Sequence, residues 1–306
     1  MIAVGGDSGT GRTTLCRGFA LIFGAKRCAT ISLDDYHSLD RAQRKTVGLS
    51  ALDPRANNFA AMEEDLWALR EGRGIEKPVY DHASGTFGAP EHVEPREIIV
   101  VRGLFPLFTR ALRSLFDVTV WVAPEPELSA AWKIQRDTRE RGYTEAEVVA
   151  EIARRKPEVA KFIDPQAKYA DLSVTFYRSK DRDPGEDPTR LSARIRKGGR
   201  FRPLSYAEFE SASTSIRQLE QTSAGGYPET IIELDGAIEP EIAGTVEDRL
   251  WSHIEEHGRP RPDGLGEFRD ARGERRVGYA LALSQLLIAR RVALVQSELL
   301  AGVADH

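Results

Sequence analysis

The sequence predicts an α/β protein with a doubly wound, mostly parallel sheet and a smaller C-terminal α/β extension. Three observations predict it. The chain opens on a strand, a glycine-rich loop and a helix; the runs at 98–101 (IIVV) and 118–122 (VTVWV) have the continuous apolar, β-branched character of parallel strands buried on both faces. Helix-forming segments lie between such runs, the alternation that produces a doubly wound sheet.

Taken in order, Ile2-Ala3-Val4 is a short buried strand, and residues 13–23 carry apolar side chains at helical spacing. Residues 29–33 give a second strand, 98–101 and 118–122 the next two, and 172–176 a fifth. Residues 126–141 and 145–162 read as helices, the second capped by Thr144. Residues 177–202 hold many charges, Gly and Pro and few apolar residues, so they read as a loop or linker, with a boundary near 180–205. A core over 1–200 and an extension over 201–306 follow. In the extension, 230–234 reads as a strand, and 240–257 and 280–300 as helices.

The chain has 306 residues, 41% of them hydrophobic, enough for one large core or two smaller ones. Cys16 and Cys28 are the only cysteines, too few for a disulfide framework or a four-ligand zinc site, so a reducing cytoplasm is the expected compartment. No apolar run approaches the roughly 20 residues that span a bilayer, and no charged leader precedes an apolar stretch, so a soluble, non-exported protein is expected. Lys and Arg total 43 against 47 Asp and Glu, and the net charge of -4 gives no global attraction to nucleic acid or anionic membrane. Anion binding must be local.

Gly6-Asp7-Ser8-Gly9-Thr10-Gly11-Arg12-Thr13-Thr14 supplies such a place. Two glycines separated by four residues, then a cation and a hydroxyl, form the P-loop pattern, with Arg12 where lysine is usual. Glycines let backbone N–H groups turn in on phosphate oxygens, and the helix start adds its positive end. Residues 6–14 are therefore the expected ATP site, with Thr13 reaching Mg2+, on a P-loop NTPase-type sheet. Arginine is longer, planar and forked, so the swap should affect rate more than binding.

After the second strand, Asp34, Asp35, His37 and Arg41 emerge at the carboxyl edge of the sheet, where α/β proteins bind ligands. An Asp there can take a proton from an acceptor hydroxyl, and His37 and Arg41 can hold an anionic acceptor. Farther on, Lys133, Arg136, Asp137 and Arg141 stand at i, i+3, i+4 and i+8, one helix face presenting three cations and a carboxylate.

ISLDDYHSLDR, ALDPRANNF at 51–59, KPVYDH at 77–82, AWKIQRD at 131–137 and FIDPQAKYAD at 162–171 resemble phosphoribulokinase in order and spacing. The likeness covers nearly all of 1–176 and is nearest the form found in plants, cyanobacteria and archaea. GLGEFRD at 264–270 and LALSQLLIARR at 281–291 are similar to that family's C-terminal region. The resemblance implies MgATP-dependent phosphorylation of ribulose 5-phosphate, a Calvin cycle step, by a homodimer. It places the general base on Asp34 and sugar-phosphate ligands on His37, Arg41, Lys133, Arg136 and Arg141. Asp137 then falls near the metal and the transferred group, and Tyr80 and His82 on the substrate loop.

Three positions depart from that pattern in a way that bears on catalysis. Arg12 is one. Where the family typically reads EGLHP, residues 102–106 read RGLFP, so Arg102 replaces a metal-side Glu and Phe105 a His. Thr10 stands where photosynthetic relatives carry a regulatory cysteine, so thiol switching of that kind is not expected. The departures keep two alternatives open: a catalytically impaired regulatory paralogue that binds nucleotide or sugar phosphate, and a related kinase acting on uridine or another sugar phosphate.

Overall fold

A computed structural model of the chain describes residues 1–178, 191–197, 215–222, 226, 228–255, 260–270 and 272–302. Strand β1 (Ile2–Gly5) leads through the glycine-rich loop into α1 (Arg12–Phe23), and β2 (Cys28–Ser32) follows. Next come α2 (Arg41–Thr46), α3 (Phe59–Arg70), β3 (Ile75–Lys77), β4 (Tyr80–Asp81), β5 (Thr86–Phe87) and β6 (Glu91–Val93). Then come β7 (Ile98–Gly103), α4 (Arg110–Ser114), β8 (Val118–Val122), α5 (Pro126–Glu140) and α6 (Glu145–Glu158). Beyond them lie β9 (Leu172–Tyr177), β10 (Ser192–Lys197), β11 (Ile216–Thr222), β12 (Pro228–Leu234), α7 (Pro240–Ser252), β13 (Glu267–Arg269), β14 (Arg275–Val277) and α8 (Tyr279–Leu300).

Contacts divide the chain into two units. The first comprises Met1–Arg12, Ala25–Val122 and Pro126–Ala170. Its sheet has the order β8-β1-β7-β2, every pair parallel. β7 and β8 are buried almost throughout, as continuous apolar runs require when helices cover both faces. The register sets Gly5 opposite Gly103 and Trp121, and Arg102 opposite both Val4 and Ser32. The strands therefore end together, and the loops after β1, β2 and β7 open from one edge. The core beneath is built from Ile31, Leu33, Tyr36, Met62, Leu66, Phe105, Leu112 and Trp121, each burial contributing about 1.5–3 kcal/mol. Two small antiparallel ribbons, β3 with β6 and β4 with β5, follow α3.

The second unit comprises Thr13–Gly24, Ala123–Glu125 and Asp171–His306. Its strands run in the order β11-β12-β10-β9, all antiparallel. Two of them correct the sequence reading. β10 crosses the stretch taken for a linker: Ala193 and Ile195 are buried while Arg194 and Arg196 alternate outward, and Arg194 pairs with Glu233 at 2.6 Å. The alternation is only a few residues long and lies among charges, so composition hid it. β11 was likewise not expected, since only its Ile216 is buried. Helix α8 is apolar nearly all round because it is buried nearly all round, from Ala280 to Val295. Arg200 and Arg202, at the end of the charged stretch 177–202, lie outside the described residues.

Candidate active site

The glycine-rich loop takes the backbone shape its composition allows. Gly6, Gly9 and Gly11 have φ of 149°, 88° and 88°, and a side chain at Gly9 would also put a β-carbon 2.8 Å from Lys133 Cβ. Thr10 Oγ1 donates to the Asp7 carbonyl at 2.9 Å, closing the turn from within. Asp7 Oδ1 accepts from Arg155 Nη2 at 2.6 Å, and Ser8 Oγ bonds Arg136 Nη2 at 2.9 Å. Two helices, α5 and α6, thus brace the loop. Arg12 is the first residue of α1, and Thr13 and Thr14 are the next two.

Asp34 sits on a single 3-10 turn, Leu33–Asp35, directly after β2. Its Oδ1 accepts the Leu104 N–H at 3.0 Å, and Arg12 Nη2 lies 3.4 Å from its Oδ2. Burial pushes this carboxyl up, but Arg12, His82, the Leu104 N–H and Arg102 together hold it below the usual carboxylate range. Arg102 thus exerts its charge on Asp34. Gly103 is required beside it, because a β-carbon there would stand 2.7 Å from Leu33 Cβ and 3.4 Å from Asp34 Oδ1. Phe105 is buried in the core, edge-on to Phe59 at 5.5 Å and Phe108 at 5.4 Å, so the histidine-to-phenylalanine departure is absorbed by packing.

The neighbouring Asp35 does different work. It bonds Lys77 Nζ at 2.7 Å and the Tyr80 N–H at 3.2 Å, fixing the β3–β4 segment. Tyr80, expected at the substrate loop, is buried, with its hydroxyl donating to the Gly85 carbonyl at 3.0 Å and accepting from Arg44 Nη2 at 2.9 Å. Arg41 spans to the same ribbon: Nη2 donates to the His82 carbonyl at 2.5 Å and Nη1 to that of Ala83 at 3.4 Å. Both side chains hold the ribbon in place. His82, which follows β4, lies near Asp34, Arg136 and Arg141, and burial first, then Arg141 and Arg136, push its pKa down against the opposing pull of Asp34 and Asp35.

His37 forms a β-bridge with Asn57, and its Nδ1 is 3.0 Å from Asn57 Oδ1. Asn57 Nδ2 donates to the carbonyls of Ala51 at 3.2 Å and Asp53 at 2.9 Å, so its oxygen must face the ring. Burial and then Arg44 push the imidazole pKa down to about 4. A neutral ring that donates from Nδ1 carries a lone pair on Nε2. His37 therefore suits a hydroxyl donor better than the anion expected from the sequence.

On α5, the predicted shared face is real. Asp137, 1% exposed, receives Lys133 Nζ at 2.5 Å, Arg136 at 2.7 Å and Arg141 Nη1 at 3.3 Å. Burial raises its pKa, and Lys133 and Arg136 more than reverse that, so it stays ionised. With Glu151 3.6 Å from Lys133 on its outer side, three cations face two carboxylates and keep a net positive charge on this face, a setting for an anion. That environment does not suit Asp137 to the metal contact assigned to it above.

Sequence reasoning gave no role to Arg155, Arg44, Asn57 or Lys77. ALDPRANNF and KPVYDH contain the last two, but nothing local in either string reports a partner 20 or more residues away. Among the described residues no group of three or more His, Cys, Asp or Glu forms a metal cluster, and no helix is long and apolar enough to cross a membrane.

Comparison with known proteins agrees with this architecture. The model of the phosphoribulokinase / uridine kinase family matches residues 1–182. A phosphoribulokinase of Synechocystis sp. is 45% identical over 174 residues, covering 57% of this chain and 52% of that protein. The chloroplastic phosphoribulokinase of Mesembryanthemum crystallinum is 42% identical over 191 residues, covering 57% and 48%. A uridine kinase of Lactiplantibacillus plantarum is 32% identical over 180 residues, covering 57% and 85%. The chain spans about half the length of the phosphoribulokinases it matches. In three dimensions it is similar to a solved structure of phosphoribulokinase from Rhodobacter spheroides, with a TM-score of 0.57 at 21% identity over 82% of this chain and 95% of that one, a likeness of fold. By sequence and by fold, the chain belongs to the phosphoribulokinase / uridine kinase family.

Proposed function

We propose that the chain transfers the γ-phosphoryl group of ATP to the 1-hydroxyl of ribulose 5-phosphate, giving ribulose 1,5-bisphosphate and ADP. The observation that carries this reading is the contact of Arg12 with Asp34 at 3.4 Å, which brings the end of the phosphate loop to a carboxylate on the first turn after β2, while the adjacent Asp35 is tied into the β3–β4 segment. Asp34, held ionised by Arg12, His82 and Arg102, orients the attacking hydroxyl and takes its proton as the new P–O bond forms. The cation face of Lys133, Arg136 and Arg141 receives the sugar phosphate and the charge that develops during transfer. His37 Nε2 accepts from a sugar hydroxyl.

The nucleotide is held by the N–H groups of residues 6–13. Both Asp137 oxygens are occupied by cations, so the residues fit Mg2+ as an ion that arrives on the nucleotide's phosphates, with Thr13 as its protein ligand. When bound it neutralises charge on the β- and γ-phosphate oxygens. A net positive acceptor face favours a phosphorylated sugar over uridine, which has no anion to place there. The same reading carries a cytoplasmic homodimer whose partners are small molecules, without nucleic acid or membrane.

A second reading, a nucleotide-binding regulator without turnover, is favoured by one observation: two arginines, Arg12 and Arg102, act on the base at once. One assay separates them. Purified protein with MgATP is scored for ADP release with ribulose 5-phosphate, with uridine and with neither. Release that depends on ribulose 5-phosphate, and falls about 100-fold or more in Asp34→Asn, is expected for a positioned base. Full-rate turnover in that variant rejects Asp34 as the base, and no acceptor-dependent ADP rejects the kinase reading in favour of the regulator.

A further inference from the structure

Two segments of the C-terminal half have no part in the chemistry described above, yet they meet at one buried side chain. Gln285, 2% exposed on α8, accepts the Gly266 N–H on Oε1 at 2.9 Å. Its Nε2 donates to the carbonyls of Thr14 at 3.1 Å and Leu15 at 3.5 Å, in the first turn of α1. The contact is closely fitted: a β-carbon on Gly18, one turn farther along α1, would stand 2.2 Å from Gln285 Cδ. Gly266 is fitted in turn, since a β-carbon there would lie 2.6 Å from the Gly278 carbonyl and its φ is 72°. GLGEFRD and LALSQLLIARR thus converge, through one amide, on the helix that begins at Arg12.

We propose that Gln285 is a positioning residue for nucleotide binding, fixing the first turn of α1 so that the N–H groups continuing from Gly11 keep their aim on the phosphates. Helix N-termini bind phosphate through the direction of a few N–H groups, so a small tilt of the first turn costs affinity. Thr14 and Leu15 follow Thr13 directly, and an amide fastened to their carbonyls restrains that turn. A buried amide with donor and acceptor both used is a specific strut, because an apolar replacement leaves Gly266 N–H unpaired and releases α1.

The inference rests on the nucleotide half of the proposed function and not on the acceptor. Coupling between two places is reciprocal, so it can be read from either end. In the unaltered protein, adding ATP with magnesium should slow hydrogen exchange at the Gly266 amide and along 281–289 by several fold. Two variants read it the other way. Gln285→Met removes the strut, and Gly18→Ala displaces it by a change that otherwise favours a helix. Each should weaken binding of a fluorescent ATP analogue about fivefold, the scale of one net hydrogen bond, with KM for ribulose 5-phosphate unchanged.

Unchanged exchange on adding nucleotide overturns the proposal whether or not either variant folds. Folded variants with unaltered affinity for the analogue also overturn it, as does an equal rise in KM for both substrates. An unaltered protein that binds no nucleotide rejects the ATP reading and this inference together. Nucleotide binding with no turnover rejects only the kinase reading and leaves the strut to stand on the binding data.

Discussion

Asp137→Asn is the most informative single change at the cation face. In the structure the carboxylate is 1% exposed, with Lys133, Arg136 and Arg141 at 2.5, 2.7 and 3.3 Å and Glu151 3.6 Å from Lys133 on the outer side. At an effective dielectric of about 20, each contact near 3 Å carries about 5–6 kcal/mol of gross attraction, most of it cancelled by desolvation. Removing one partner of a buried pair costs about 3–5 kcal/mol. Arg136 and Arg141 are about a quarter exposed and can turn to water, which puts the expected loss at the lower end, about 3 kcal/mol. At roughly 2–4 °C per kcal/mol, Tm should fall by about 6–12 °C. The variant also raises the net positive charge of this face by one. Sulfate or phosphate at ten times its Kd should then return about 1.4 kcal/mol, close to half the loss, and stabilise wild type less. Melting curves of both proteins across an anion titration measure this. A fall under about 2 °C, or equal anion stabilisation of both proteins, refutes the idea that Asp137 assembles the cations.

Other changes test the base and its surroundings. Arg12→Met removes the largest cationic influence on Asp34, so its pKa must rise and the acid limb of the kcat–pH profile must move to higher pH; an unmoved limb means that Arg12 does not act on the base. Gly103→Ala forces a β-carbon against Leu33 and Asp34, and should lower stability by about 1–3 kcal/mol and kcat by more than KM, both measurable in one preparation. His37 is neutral when folded, with a pKa of about 4 against 6.5 unfolded, so its contribution is complete above pH 6.5 and is lost as pH falls toward 4. Urea unfolding at pH 7 and pH 4.5 should show about 2–3 kcal/mol more acid loss in wild type than in His37→Gln, at about 1.4 kcal/mol per pH unit.

The parallel sheet was legible because its signal is local and redundant. IIVV and VTVWV are apolar at every position, which a strand buried on both faces requires, and glycines at 6, 9 and 11 announce the loop that needs their φ. β10 and β11 were not legible. Each buries few side chains, and both are placed by pairing with β12, which lies far along the chain from β10 (Ser192–Lys197) though only a few residues beyond β11 (Ile216–Thr222). The same division runs through the site. The 133, 136, 137 and 141 spacing predicts a shared face because helix geometry alone decides it. The DDYH string could not show that Asp34 faces the phosphate loop while Asp35 faces Lys77, since two adjacent residues on a tight turn separate by tertiary contacts 40 or more residues distant.

Charge placement accounts for the departures better than any of them taken singly. Each of these two carboxylates has more cationic neighbours than it can neutralise: Asp34 has Arg12 and Arg102, and Asp137 has Lys133, Arg136 and Arg141. An excess of buried positive charge is unfavourable until anions enter, and a nucleotide triphosphate with a sugar phosphate brings several. On the proposed function, an arginine at 102 in place of the family's glutamate would meet phosphate charge with a guanidinium that also keeps the base ionised. On this reasoning Arg12 and Arg102 compensate each other's effect on the donor, and restoring lysine at 12 alone should not recover what glutamate at 102 would have supplied. The double variant Arg12→Lys with Arg102→Glu should exceed the sum of the two single changes in kcat, and strictly additive singles would show that the two arginines act independently.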